Sequence, residues 1–118
     1  MYRPDYLYEA VLGLNSNGIV VVTVNYRLGI FGFLSTDDTN QPGNNGVRDQ
    51  MLALQWIKEN IGRFHGNSKN VTIMGHDAGA VSVGMHILNP DAHSKYFTFT
   101  FYIFKQTTFF FMFYFVYF

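Results

Sequence analysis

The 118-residue chain contains no cysteine. Disulfides, thiolate metal ligands and thiol nucleophiles are therefore excluded within it. That absence does not assign a redox compartment. Net charge is also absent, with eight Lys and Arg against eight Asp and Glu and no basic run. Without a basic patch, nothing favours a nucleic-acid partner. The opening residues, Met1-Tyr2-Arg3-Pro4-Asp5-Tyr6, lack the apolar core of a signal peptide. Localisation is left open on these grounds. No internal repeat is visible, and neither a metal nor a cofactor is expected.

What is present divides near Tyr96. The upstream part is mixed and holds all three prolines. Of the 22 aromatic residues, 13 lie between Phe97 and Phe118, so the aromatic share describes the tail more than the rest. The tail has no leucine and one charge, Lys105. The reading is a partial domain over residues 1–95 and a low-complexity Phe/Tyr-rich segment over 96–118, non-native or membrane-like. Its 22 residues from Phe97 are long enough for a span. Lys105, Gln106, Thr107 and Thr108 in its middle argue against one. The composition also fits translated noncoding sequence.

Ile19 to Val24 is a continuous apolar and β-branched run without polar alternation. It predicts a strand buried on both faces. Ser35 to Asn45 is rich in Asp, Asn, Thr, Pro and Gly and reads as a loop. A helix should begin at Asn45 or Gly46 and stop near Gly62. Its apolar stripe is Val47, Met51, Leu54, Ile57 and Ile61, widened by Leu52 and Trp56. Arg48, Gln50, Gln55, Lys58 and Glu59 fall largely on the other side. Val71 to Met74 is a second strand, and Ala80 to Leu88 a mostly apolar helix. Strand, helical crossover, strand, tight turn, helix is βαβ grammar.

The tight turn is Gly75-His76-Asp77-Ala78-Gly79. In the pattern G-x-S-x-G, such a turn presents a nucleophile at the top of a sheet. The central residue is strained, so small neighbours must let the chain approach closely. The helix N-terminus favours negative charge beside it. The N–H after the nucleophile, here that of Ala78, helps bind an oxyanion. The central position is Asp77. Read blandly, Asp77 is only the N-cap of the helix from Ala78. His76 reads as a rim residue rather than a base, and His86 as a packed, hydrogen-bonded one.

Wider context carries a resemblance. Asn25-Tyr26-Arg27-Leu28-Gly29 with Phe31-Gly32-Phe33-Leu34, Pro42 to Gln50, Ala53 to Ile57, Glu59-Asn60-Ile61, Phe64-His65-Gly66, Asn70 to Gly75 and Val81 to Pro90 come in one order and spacing. Together they resemble the carboxylesterase type B, or cholinesterase-like, family over about residues 18–95. The resemblance implies a partial α/β-hydrolase fold: an α/β fragment of a mostly parallel sheet with helices around the nucleophile elbow. Two strands of that sheet are expected here. It also implies that Asp77 stands where the family has serine, and His76 where it has glutamate. Arg27 and Asp49 become buried polar residues that tie a loop to a helix.

Three functions follow from the resemblance. An elbow without serine implies an inactive homologue, with any role by protein binding or adhesion as in neuroligin-like relatives. The family by itself implies a carboxylic ester hydrolase acting on a small ester. An aspartate at the elbow also resembles haloalkane dehalogenases and epoxide hydrolases, where a carboxylate is the nucleophile. The family's glycine-rich oxyanion loop and triad histidine match nothing in this chain. His65, His76, His86 and His93 do not fit the family's late catalytic histidine. For a full-length member the family implies an extracellular or membrane-associated location.

Overall fold

The computed structural model describes residues 12–92, 96–97, 99–103 and 111–117, the last two stretches as backbone. The N-terminal hexapeptide, His93 and Lys105 lie outside the described residues. A helical turn over residues 12–16 leads through Gly18, at φ 76°, into β1, Ile19–Val24. Then come α1 at Gly29–Phe33 and α2 at Asn45–Asn60. A 3₁₀ turn, Ile61–Phe64, extends α2. Strand β2 is Val71–His76, and α3 is Ala78–Leu88. Two further strands follow, β3 at Phe99–Ile103 and β4 at Phe111–Tyr117.

The sheet has four strands in the order β1-β4-β2-β3, where two were expected. β3 runs parallel to β2, with Thr72 opposite Phe99 and His76 opposite Ile103. β4 is antiparallel to both its neighbours. β1 and β2 are thus parallel to each other, as a βαβ unit requires, but β4 lies between them. The sheet is mixed rather than mostly parallel.

β1 is an edge strand and is half-buried, with Thr23 exposed. Burial on both faces was expected of it. An uninterrupted apolar run shows that a strand can be buried, but the order of strands decides which one is. β2 is the buried strand, and Val71 and Ile73 are fully inside.

Leu54 and Ile57 from α2 and Ile61 from the 3₁₀ turn meet Val71 and Ile73 from β2 and Val83 from α3 in the core. Ala92, Tyr96 and Phe97 complete the cluster. The Lys58 ammonium lies 5.8 Å above the Tyr96 ring, a cation–π distance. Leu52 and Trp56, expected to widen the stripe, are instead 66% and 48% exposed. They sit outside the arc that Leu54 and Ile57 turn inward, and Trp56 packs sideways on Phe64 with ring centroids 6.0 Å apart. The position they were to fill belongs to Gln50, fully buried although it was expected on the solvent side. Among the described residues, no helix is long and apolar enough to cross a membrane.

Two boundaries differ from expectation. Asn44, at φ 58° and ψ 21°, is the N-cap of α2, and its side chain makes no capping bond. At the other end, Gly62 lies inside the 3₁₀ turn. The left-handed residue that reverses the chain is His65, at φ 63°. Its amide donates to Gly62 and that of Gly66 to Ile61, which satisfies carbonyls at the helix end.

Candidate functional site: the strand-to-helix elbow

β2 leaves the sheet at His76, and α3 begins two residues later at Ala78. The reversal falls on one residue. Asp77 has φ 56° and ψ −120°, a conformation that L residues adopt only under strain. The strain persists because the surroundings leave no alternative. A Cβ at Gly75 would strike the carbonyl of Gly79 and the amide nitrogen of Ala80. Strand and helix therefore touch through bare backbone at the turn, and Gly75 is what permits it.

Asp77 occupies the N-cap position, but its carboxylate makes no capping hydrogen bond. Its main-chain carbonyl starts the helix instead, accepting from the amides of Ala80 at 2.9 Å and Val81 at 3.2 Å. The amides of Ala78 and Gly79 come earlier in the first turn and have no intrahelical acceptor. They stand at the positive end of the helix dipole. Asp77, His76 and Ala78 are half-buried, while Gly75 and Gly79 are buried. The turn can thus present one side chain beside two main-chain donors.

The histidines lie apart from this apex in role. His76 is the last residue of β2, and His65 closes the 3₁₀ turn. His86 sits on α3, fully buried, with Nε2 2.8 Å from Oε1 of Gln50. Burial drives its pKa down to about 4, so the ring is neutral, and its Nε2 is engaged by Gln50 rather than by Asp77. Among the described residues, no group of three or more His, Asp or Glu is placed to hold a metal ion.

Next to the elbow, α2 is stitched to the end of β1 by two consecutive pairs. On the outside, the Arg27 guanidinium grips Asp49 with Nε to Oδ2 at 2.7 Å and Nη2 to Oδ1 at 2.6 Å. The Arg27 amide also donates to Oδ2 at 3.1 Å. These bonds hold the Asp49 carboxyl below the usual carboxylate range and raise the guanidinium further. The pair was expected to be buried, yet the two side chains are 53% and 26% exposed. The loop-to-helix tie is present on the surface.

On the inside, one residue along each element, the Tyr26 phenol lies beside the side chains of Ser82 and Gln50. Burial raises the Tyr26 phenol pKa, partly offset by those two polar neighbours. Gln50, Ser82 and Tyr26 were not anticipated as a unit. One signal was available: positions 47, 50, 54, 57 and 61 step by three and four, so Gln50 falls within the apolar stripe. A polar residue there requires buried partners.

Comparison with known proteins bears on what this turn is. Residues 1–103 match the family model described as "Carboxylesterase family". The chain is 59% identical over 75 residues to acetylcholinesterase of Danio rerio, which is 63% of this chain and 12% of that protein. It is 56% identical over 78 residues to neuroligin-like protein glit-1 of Caenorhabditis elegans, covering 66% and 10%. Against bile salt-activated lipase of Mus musculus it is 49% identical over 89 residues, covering 75% and 15%. The chain thus spans between a tenth and a sixth of the length of these relatives. With most of its length matched, including the elbow and the strand and helix that build it, the chain belongs to the carboxylesterase family.

Proposed function

We propose that this chain is part of a cholinesterase-like α/β-hydrolase whose elbow is silent toward esters, and that its role is protein binding. The observation that carries this is Asp77 at the strained apex, φ 56° and ψ −120°, where the resemblance puts serine. A carboxylate that attacked an ester would form an anhydride, a high-energy acyl intermediate with little driving force. Loss of the nucleophile costs roughly a million-fold in kcat in a well-studied serine protease. A binding role is supported by the neuroligin-like relative. It is supported too by the apolar α1, where Ile30 and Phe31 are 66% and 77% exposed.

A second reading, a carboxylic ester hydrolase acting on a small ester, is favoured by the relatives named acetylcholinesterase and bile salt-activated lipase. Incubation of the longest natural product carrying these residues with p-nitrophenyl acetate separates the two. No nitrophenol release above the uncatalysed rate is expected. Turnover at a serine-esterase rate, abolished by Asp77→Asn, would overturn the silent elbow. Release of halide or diol from a haloalkane or epoxide would assign Asp77 as a nucleophile of a different chemistry.

A further inference from the structure

Between α2 and α3, in contact that is otherwise apolar, lie three polar side chains with almost no access to water. Gln50 and His86 are 0% exposed and Ser82 is 6% exposed. Their bonds run in one direction. The Gln50 amide nitrogen donates to Ser82 Oγ at 3.2 Å. Its oxygen therefore faces His86 Nε2 at 2.8 Å, and an amide oxygen only accepts. Nε2 must carry the imidazole proton. Ser82 has one proton, and it goes to the Ala78 carbonyl at 3.0 Å. The chain of donors thus runs His86, Gln50, Ser82, Ala78, and it ends one residue past Asp77.

The reverse orientation is worse on physical grounds. Turning the Gln50 amide over would make His86 Nε2 an acceptor and put the proton on Nδ1. His86 Nδ1 is buried without a partner. An unpaired buried N–H is rarer than an under-used acceptor, since a buried donor loses its only possible bond. Turned over, the amide would also draw the Ser82 proton away from Ala78.

We propose that Gln50, Ser82 and His86 are positioning residues for the elbow: a directed hydrogen-bond relay that fixes the first turn of α3 and so holds Asp77 in its strained conformation. Ser82 would by itself bond back to the carbonyl four residues earlier, a local habit of helical serines. What is added here is Gln50, an anchor on a different helix, with His86 as the anchor's own support. The Tyr26 phenol lies beside both Gln50 and Ser82 and brings the segment after β1 to the same point. The relay is independent of whether the elbow turns over a substrate or binds a partner.

The test has two readouts on the purified full chain. Long-range ¹H–¹⁵N correlation of the histidine rings reports which His86 nitrogen is protonated. The Nε2–H tautomer is expected; the Nδ1–H tautomer overturns the relay without any variant having to fold. Amide hydrogen exchange gives the second readout, comparing Ala80 and Val81 at the elbow with Val71 to Ile73 in β2. Gln50→Leu and Ser82→Ala should each raise exchange at the elbow at least ten-fold more than in β2. Ser82→Thr, which keeps the hydroxyl, should leave the ratio unchanged. If both deletions change the two regions equally, the three residues are only packing polar groups and the positioning role is wrong.

Discussion

His86 should make this protein lose stability in mild acid, before its carboxylates titrate. The imidazole is fully buried, accepts only the neutral form and has a pKa of about 4 against an ordinary 6.5. Protonation would place a hydrogen on Nδ1, which has no acceptor. The folded pKa is depressed, so the unfolded chain binds more protons throughout the window between the two values. Stability is full above pH 6.5, falls as pH drops toward 4 and levels off below that. A shift of roughly 2.5 units corresponds to about 3 kcal/mol, with about 1.4 kcal/mol already lost at pH 5.5. That is a large part of the stability of an ordinary domain of this size.

Urea titrations followed by circular dichroism at pH 7.5, 6.5, 5.5 and 4.5 measure the loss. His86→Gln is the comparison, because Gln can still donate to Gln50 and does not titrate. The variant should be less stable at pH 7.5 and yet much flatter across the window. Asp49 and Asp38, whose carboxyl pKa values are held low by Arg27 and by the Gln41 backbone respectively, lose their contributions only at lower pH. Parallel pH profiles for the natural chain and His86→Gln would show that His86 is not the acid-sensitive group and would refute the burial argument.

Other substitutions test the packing around the elbow. Gly75→Ala sets a methyl against the main chain of Gly79 and Ala80. Because backbone cannot rotate away, a loss of about 3 kcal/mol is expected in thermal or urea unfolding. Gly84→Ala, in α3 with nothing within 4 Å of its new Cβ, should instead add about 0.5–1 kcal/mol. Leu54→Ala removes a fully buried side chain at the centre of the core and should cost about 2–5 kcal/mol. A double-mutant cycle on Arg27 and Asp49 should return no more than about 1 kcal/mol, decreasing with salt, because the pair is exposed despite its two-point geometry.

The elbow was legible because its requirements are local. Two glycines, two alanines, a preceding β-branched strand and a following apolar helix all fall within a short stretch. Each has its own steric or electrostatic reason to be there. The bland reading of Asp77 as a capping side chain was legible as well. Asp77 does hold the N-cap position, but at φ 56° its side chain makes no capping bond and its main-chain carbonyl starts the helix. The helix stop at Gly62 was misplaced for a related reason. His65 takes the left-handed position that glycine was expected to hold, and the chain tightens into a 3₁₀ turn first.

The sequence by itself determined β1, α2, β2 and α3 and their order, though not the short α1, together with the elbow and the family. Those depend on periodicity, turn chemistry and neighbours in the chain. Tertiary structure alone decided which strand is central and which polar residues are inside. β1 and β2 read almost alike, yet β4 pairs with both, leaving β1 at the edge and β2 buried. Gln50 read as a solvent-side residue and His86 as a packed, hydrogen-bonded one, but their pairing across 36 positions was not legible. Only the packing of α2 on α3 brings them together, where burial removes water and the Gln50 oxygen lies within reach of His86 Nε2.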